Sequence, residues 1–214
     1  MRKMEPSLAW LPDTAGTVWD PLGRAMDAGL PVPAGFVVYP SSPEEQIRSA
    51  YEELKARERT HFLAVRGASH AILNLIGPDA LIHTLRRLWA ESADAAVLVQ
   101  RMIPAEWCGK AQWHRKNLRI KANEGMMILD PDTYLVSGET GKCVRRTLEP
   151  RQRRMIRRVD GVAKVIERDG ARAPMPAEHL TGIAELAARA RSDIGWAIDD
   201  LGKAWLISLG DFVS

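Results

Sequence analysis

A chain of 214 residues, 46% hydrophobic and 27% charged, can bury a full core as one large domain or two smaller lobes, and this balance excludes a disordered chain. No apolar run reaches the length of about 18 residues that a membrane-crossing helix needs, and no apolar stretch of signal-peptide type follows Met1 to Pro6, so a cytoplasmic protein without membrane contact is expected. Cys108 and Cys143 are too few for a disulfide framework or a thiolate metal site. The net charge of +3 is small but uneven: between 142 and 158, Lys142, Arg145, Arg146, Arg151, Arg153, Arg154, Arg157 and Arg158 stand against one acid, Glu149.

The first 15 residues read as an extended lead-in. Asp20 followed by Pro21 is an N-cap with proline at the first helical position, predicting a helix to Ala28. The loop before it, Ala15-Gly16-Thr17-Val18-Trp19, would turn backbone N–H groups toward the positive end of that helix, an arrangement able to hold a phosphate. Gly29 ends the helix, Pro31 and Pro33 stiffen an elbow, and Gly35 to Tyr39 reads as a strand. Ser42-Pro43-Glu44-Glu45 is a capping box opening a helix to about Arg59. Phe62 to Arg66 is a short buried strand, and Gly77-Pro78-Asp79 opens a helix with Leu81, Leu85 and Leu88 on one face.

Near Ala93 the period changes from helical to strand-like, dividing the chain into lobes at 1–93 and 94–214. Ala96 to Ile103 is the most strongly β segment. Short strands are expected at 108–114, 117–122, 124–129 and 133–137, then a turn at Ser137 to Gly141 and a return strand at 143–148. Pro150 opens a short helix to 158, and 162–168 reads as strand. Pro176 opens a helix to about Arg191, and strands at 194–198 and 204–209 flank a turn at Asp199 to Gly202. Helices and strands in alternation, then a strand-rich half, give an α+β fold with two lobes.

Five blocks in this order resemble the N-terminal ATP-binding domain of the pyruvate phosphate dikinase and phosphoenolpyruvate synthase family, an ATP-grasp domain. They are the helix, elbow and strand at 22–38; Leu63-Ala64-Val65-Arg66; Val97-Leu98-Val99-Gln100-Arg101-Met102-Ile103; Pro131-Asp132-Thr133-Tyr134; and Asp193-Ile194-Gly195-Trp196-Ala197 with Ala204-Trp205-Leu206-Ile207. The resemblance implies an α+β, two-lobed ATP-grasp-like fold with ATP and Mg2+ as cofactors. It implies phosphate binding by Arg66, adenine binding mainly by backbone groups of Gln100, Arg101, Met102 and Ile103, and metal binding by Asp193.

Departures from the family pattern point to a stand-alone member impaired in phosphoryl transfer, a pseudoenzyme. Gly16-Thr17-Val18-Trp19 stands for the family's Gly-Gly-Lys-Gly, so Val18 replaces the phosphate-contacting lysine. Gly195 replaces the second magnesium-binding acid, Ser208 the late glutamine, Gly210-Asp211 the Arg-Pro after it, and Lys121-Ala122 the Glu-Ala of a Glu-Ala-x-x-Gly segment. After Arg66 the lid segment is cut to Gly67-Ala68-Ser69-His70-Ala71-Ile72. Valine cannot supply the mobile charge on which phosphoryl transfer depends.

Other constellations read as structure. Asp199 with Asp200, and Asp130 with Asp132, fit turns; Ser69 beside His70 cannot form a nucleophile–base pair; His61, His70, His83, His114 and His179 fit surface or satisfied core positions; Trp107, Trp113, Trp196 and Trp205 fit strand packing. The alternative to a nucleotide-binding domain is a non-catalytic interaction module acting through the arginine-rich 142–158 stretch on a protein partner; without interleaved aromatics, nucleic acid is a poor candidate.

Overall fold

The computed structural model describes residues 8–67, 71–92, 95–126, 130–148, 154–160, 162–167 and 173–210. The chain divides into two compact units, one of residues 1–28 with 33–102 and one of 29–32 with 103–214.

The first unit contains β1 (Leu8–Trp10), α1 (Asp20–Asp27), β2 (Gly35–Val38), α2 (Glu44–Glu58), β3 (Leu63–Arg66), β4 (Ala71–Leu75), α3 (Pro78–Glu91) and β5 (Val97–Arg101). Its sheet runs β1-β2-β5-β3-β4. β5, which the sequence reading assigned to the second lobe, is the central strand: Gly35 to Val38 pair with Gln100 to Val97 on one side, and Leu63 to Arg66 with Arg101 to Leu98 on the other. Continuous burial of Val97 to Gln100 follows from that central place. Phe36, Val38, Val65, Val97 and Val99 from the sheet pack with Ile47, Tyr51 and Leu54 of α2 and Leu81 and Leu85 of α3.

Helix starts differ from expectation in an instructive way. Ser42 does not cap α2; its Oγ accepts the Tyr39 N–H at 2.9 Å while its own N–H donates to the Tyr39 carbonyl, so the hydroxyl closes a turn and Pro43 becomes the N-cap. Trp19, not Asp20, caps α1, and its indole Nε1–H donates to the Ala96 carbonyl at 3.1 Å. β4 was not expected. Asn74 within it adopts φ +65, which interrupts the alternation that would have marked a strand, and its N–H donates to Met102 Sδ at 2.8 Å.

The second unit contains β6 (Trp107–His114), β7 (Asn117–Glu124), β8 (Asp132–Ser137), β9 (Cys143–Thr147), β10 (Arg154–Val159), β11 (Val162–Glu167), α4 (Ala177–Ala190), β12 (Ile194–Ile198) and β13 (Ala204–Leu209). Six strands form an antiparallel sheet in the order β13-β12-β6-β7-β8-β9. Residues 29–32 belong with it: Leu206 N–H donates to the Pro31 carbonyl at 2.8 Å and Arg189 to the Gly29 carbonyl at 3.0 Å. β7 continues to Glu124, where Gly125 turns at φ +91, so no separate strand starts at 124; residues 127–129 lie outside the described residues.

The helix expected from Pro150 is replaced, over its described part, by β10, antiparallel to β11. Ile156 and Val159 are β-branched, and Asp160 before Gly161 turns at φ +53, a residue pair suited to a tight hairpin. Residues 149–153 lie outside the described residues. Arg157 of β10 bridges Glu106 at 2.7 Å and Glu124 at 2.8 Å. The arginine-rich stretch is therefore not one solvated face: Arg157 is committed to ion pairs, whereas β9 with Arg145 and Arg146 is exposed throughout.

Candidate functional site

Arg66 ends β3, half-buried, opposite Leu98 of β5 and Ala71 of β4. Of the shortened lid segment at 67–72, residues 68–70 lie outside the described residues, and Ala71 and Ile72 open β4. At the end of β5 the expected adenine-holding stretch is heavily engaged within its own surroundings. Gln100 is buried and its Nε2 donates to the Pro33 carbonyl at 3.0 Å. A Cβ on Gly35 would overlap the Val99 carbonyl oxygen and lie 2.8 Å from Gln100 Cγ, so glycine is what lets the chain after Pro33 lie against this glutamine. Arg101 N–H donates to the Ala34 carbonyl at 2.8 Å, Met102 N–H to the Phe62 carbonyl at 3.1 Å, and the Arg101 guanidinium pairs with Glu58 at 3.2 Å. Met102 and Ile103 present buried apolar side chains.

In the loop before α1, expected as a phosphate cradle, several backbone donors are already engaged. Thr17 N–H donates to the Thr14 carbonyl, Asp20 N–H to the Thr17 carbonyl, Trp19 N–H to Thr17 Oγ1, and the N–H groups of Leu22 and Gly23 to the Trp19 carbonyl. With these donors consumed and the Asp20 carboxylate in the first turn, the helix start offers an anion little. Val18, at the family's lysine position, is 77% exposed.

In the second unit the strand register separates two faces. Ala111, Leu118, Ile120, Tyr134, Val136, Ile194, Trp196 and Leu206 alternate into the buried face beneath α4. Tyr134 Oη there accepts the Met175 N–H at 2.9 Å and donates to Asp132 Oδ2 at 3.3 Å. Asp132 therefore opens β8 as a fully buried carboxylate rather than flanking a turn. Trp196 and Trp205 are buried and Trp107 and Trp113 half-buried on their strands, as the sequence suggests. Asp199 closes its turn, accepting the N–H groups of Leu201 and Lys203 on Oδ1 and the Trp205 indole on Oδ2. His61, His83 and His114 are exposed and His179 half-buried, while Ser69 and His70 lie outside the described residues.

The opposite face carries the polar positions. Ser208, Gly195, Lys110, Lys121, Thr133 and Thr147 are successive cross-strand partners from β13 to β9, one row across the whole sheet. Asp193, just before β12, accepts the Trp113 N–H on Oδ1 at 2.8 Å, and its carbonyl accepts the Gly210 N–H at 3.1 Å. Asp211 lies outside the described residues. Sequence reasoning singled out Asp193, Gly195, Ser208 and Lys121 separately but missed Lys110, whose significance appears only once its register against Lys121 is known. The signal would have been the β6–β7 turn, but it falls at Arg115, with φ +56, and Lys116, residues that do not advertise a tight turn.

No protein-family model matches the chain, and no curated protein matches it. Among solved structures it is similar to D-alanine–D-alanine ligase from Bacillus anthracis, with a TM-score of 0.52 and 12% identity over 89% of this chain and 54% of the ligase. A second D-alanine–D-alanine ligase, from Coxiella burnetii, gives 0.51 and 10% over 88% and 45%. The ATP-grasp ligase PsnB, complexed with minimal precursor, Mg and ADP, gives 0.40 and 13% over 89% and 48%. The fold is ATP-grasp-like. At these identities the likeness establishes the α+β architecture alone, and the chain spans about half the length of the structures it matches.

ATP-grasp chemistry implies magnesium, and the donor set can be tested against it. Asp193 gives one carboxylate with one oxygen already accepting a backbone N–H, and the neighbouring row offers a glycine, a serine and two lysines. Among the described residues no group of three or more His, Cys, Asp or Glu side chains converges. An octahedral, oxygen-preferring ion beside two ammonium groups has little to hold it, so these residues do not fit a magnesium site.

Proposed function

We propose that this chain is an ATP-binding domain of the pyruvate phosphate dikinase and phosphoenolpyruvate synthase type that holds nucleotide and is impaired in phosphoryl transfer. The observation that supports it most is positional. Gly195 and Ser208, which the resemblance matches to the family's second metal-binding acid and late glutamine, are direct cross-strand partners in the β12–β13 hairpin, the arrangement that the closing hairpin of the family pattern calls for. Arg66 ends β3 and Val97 to Arg101 form β5 in the first unit, the segments that the resemblance assigns to phosphate and adenine. In this reading the Arg66 guanidinium holds phosphate, and the apolar side chains of Met102 and Ile103 with carbonyl groups of the 100–103 stretch hold the base, since the N–H groups of Arg101 and Met102 are already donated.

Impairment of transfer rests on two features of this chain. Valine at position 18 cannot stabilise charge on a transferring phosphoryl group, and the residues around Asp193 do not assemble a metal that would do so. The deciding experiment is calorimetric titration of the full chain with ATP, native against Arg66→Ala. The native protein is expected to bind, and loss of the guanidinium to weaken binding by at least about tenfold, the scale of one charge-assisted phosphate contact. Unchanged affinity in the variant refutes the assignment of Arg66, and absence of ATP binding by the native chain refutes the function.

A further inference from the structure

The six-stranded sheet of the second unit ends in two edges of different character. β13 is closed over by residues 29–32, through the Leu206 N–H donated to the Pro31 carbonyl at 2.8 Å. β9 pairs with β8 on one side, and all of its residues, Cys143 to Thr147, are exposed. An open edge of this kind offers outward backbone N–H and C=O groups to another extended chain, and charged side chains are the usual guard against self-pairing. On β9 that guard has one sign. Arg145 and Arg146 are adjacent, so they project to opposite faces of the sheet, Arg145 opposite Leu135 and Arg146 opposite Tyr134. Arg119 lies in the Arg145 row one strand beyond Leu135, and Lys142 precedes β9; both are exposed. Among the described residues none of these cations has a carboxylate partner, whereas Lys116 is paired with Glu139, and Arg157 with Glu106 and Glu124. Val144, the extra residue where the β8–β9 register shifts, adds an apolar side chain that is 64% exposed.

We propose that β9 is a docking edge for an acidic, extended segment of a partner protein, which joins the sheet as a further strand and sets two adjacent acidic residues against Arg145 and Arg146. Backbone bonds to the open edge supply affinity, and the arginines select the guest. Successive residues of a strand alternate between faces, so an acidic pair consecutive in the guest meets both arginines at once, each as an opposite-charge cross-strand pair. A second copy of this chain would bring Arg145 and Arg146 up against the same pair, and like charges so placed oppose pairing. The charges that guard the edge against its own kind are thus the ones that admit an acidic partner. This surface lies apart from the residues assigned to nucleotide, and the inference stands independently of that reading.

The test is titration of the full chain, followed by fluorescence anisotropy, with a capped and labelled peptide of alternating threonine and valine that carries two adjacent glutamates at its centre. Two further versions bear backbone N-methyl groups at every other residue, one in each phase, which keeps the charges and removes alternate backbone donors. One phase of a bound strand faces β9 and the other faces solvent. One N-methylated peptide is therefore expected to bind at least about tenfold more weakly than the parent, and the other to bind as the parent does. The double variant Arg145→Glu, Arg146→Glu should weaken the parent peptide by about tenfold or more, and should bind a version with two lysines in place of the glutamates better than the native protein does. Both positions are exposed, so the variant should fold, and the N-methylated series is read on the native chain in any case. Equal affinity for the parent and both N-methylated peptides overturns strand addition. Equal affinity of the native chain for the glutamate and lysine peptides overturns the selection by charge. Tighter binding of a short DNA duplex than of the glutamate peptide, lost in the double variant, overturns the proposal in favour of a nucleic-acid surface, and absence of peptide binding overturns it outright.

Discussion

Lys121→Glu exchanges the charge that stands opposite Lys110 across β6 and β7. Opposed residues have Cβ atoms about 5 Å apart, and two like unit charges at that spacing repel by about 0.8 kcal/mol at the dielectric of water. Exchanging one for a carboxylate turns that repulsion into an attraction of similar size, a swing of about 1.5 kcal/mol before screening. Lys121 is exposed, so salt and side-chain freedom reduce the gain to about 0.5 to 1 kcal/mol. Urea unfolding at low ionic strength should therefore show Lys121→Glu to be more stable than the native protein by that amount, with the difference shrinking at high salt. Arg119, on the same face two residues away, contributes in the same direction, so the lysine pair is isolated by a double-mutant cycle with Lys110→Met. A stability equal to or below the native value at low salt, or an undiminished gain in the Lys110→Met background, refutes a repulsive coupling between positions 110 and 121.

Two further outcomes bear on the scaffold under this face. A Cβ on Gly109 would overlap the Lys121 carbonyl oxygen and stand 2.6 Å from Trp196 Cζ2, so Gly109→Ala should cost about 3 kcal/mol in urea unfolding, and a loss below about 1 kcal/mol would mean the β6–β7 pair is looser than its register implies. Burial raises the Tyr134 pKa above its ordinary 10.0, with nearby Cys143 adding to the rise, while the Met175 N–H and Arg146 oppose it. The neutral phenol thus stabilises the fold fully below pH 10.0, and that contribution is lost as pH rises through the folded value. Tyr134→Phe leaves the Met175 N–H without its acceptor and Asp132 without that donor, and should cost about 1 to 3 kcal/mol at neutral pH. This deficit should narrow as unfolding is measured above pH 10.0, and a constant deficit across that range refutes the stated direction.

Elements with uninterrupted periodicity were legible from the chain alone. α3 carries Leu81, Leu85 and Leu88 at helical spacing, and β6 to β8 alternate cleanly enough to be placed within a residue or two. Elements whose pattern is broken by a backbone special or by charge were not. β4 hides behind the positive φ of Asn74, and β10 places arginines among its apolar residues, so its hairpin partner β11 was readable when β10 was not. The place of β5 at the centre of the first sheet was beyond reach for another reason: local sequence marks a strand but does not say which strands flank it. The same limit hid Lys110.

Among the candidate residues, Arg66 and Asp193 lie at strand ends as expected, but what their surroundings do with polar groups changes the reading. The N–H groups of Thr17 and Trp19 in the loop before α1, and of Arg101 and Met102 at the end of β5, are donated within the protein rather than left open for a ligand. Conversely, Gly195 and Ser208, which looked like losses in the sequence, stand in one cross-strand row with Lys110 and Lys121. The two faces of the second sheet explain how both things are true of one fold. Alternation along each strand assigns Ala111, Leu118, Ile120, Tyr134 and Trp196 to packing, and assigns Lys110, Lys121, Thr133 and Gly195 to the other side. Changes in the second set leave the first untouched, so the charge of the row can be inverted without disturbing the core that fixes the register. The architecture therefore carries no information about which ion or ligand the row prefers, and the sign of its side chains carries a great deal.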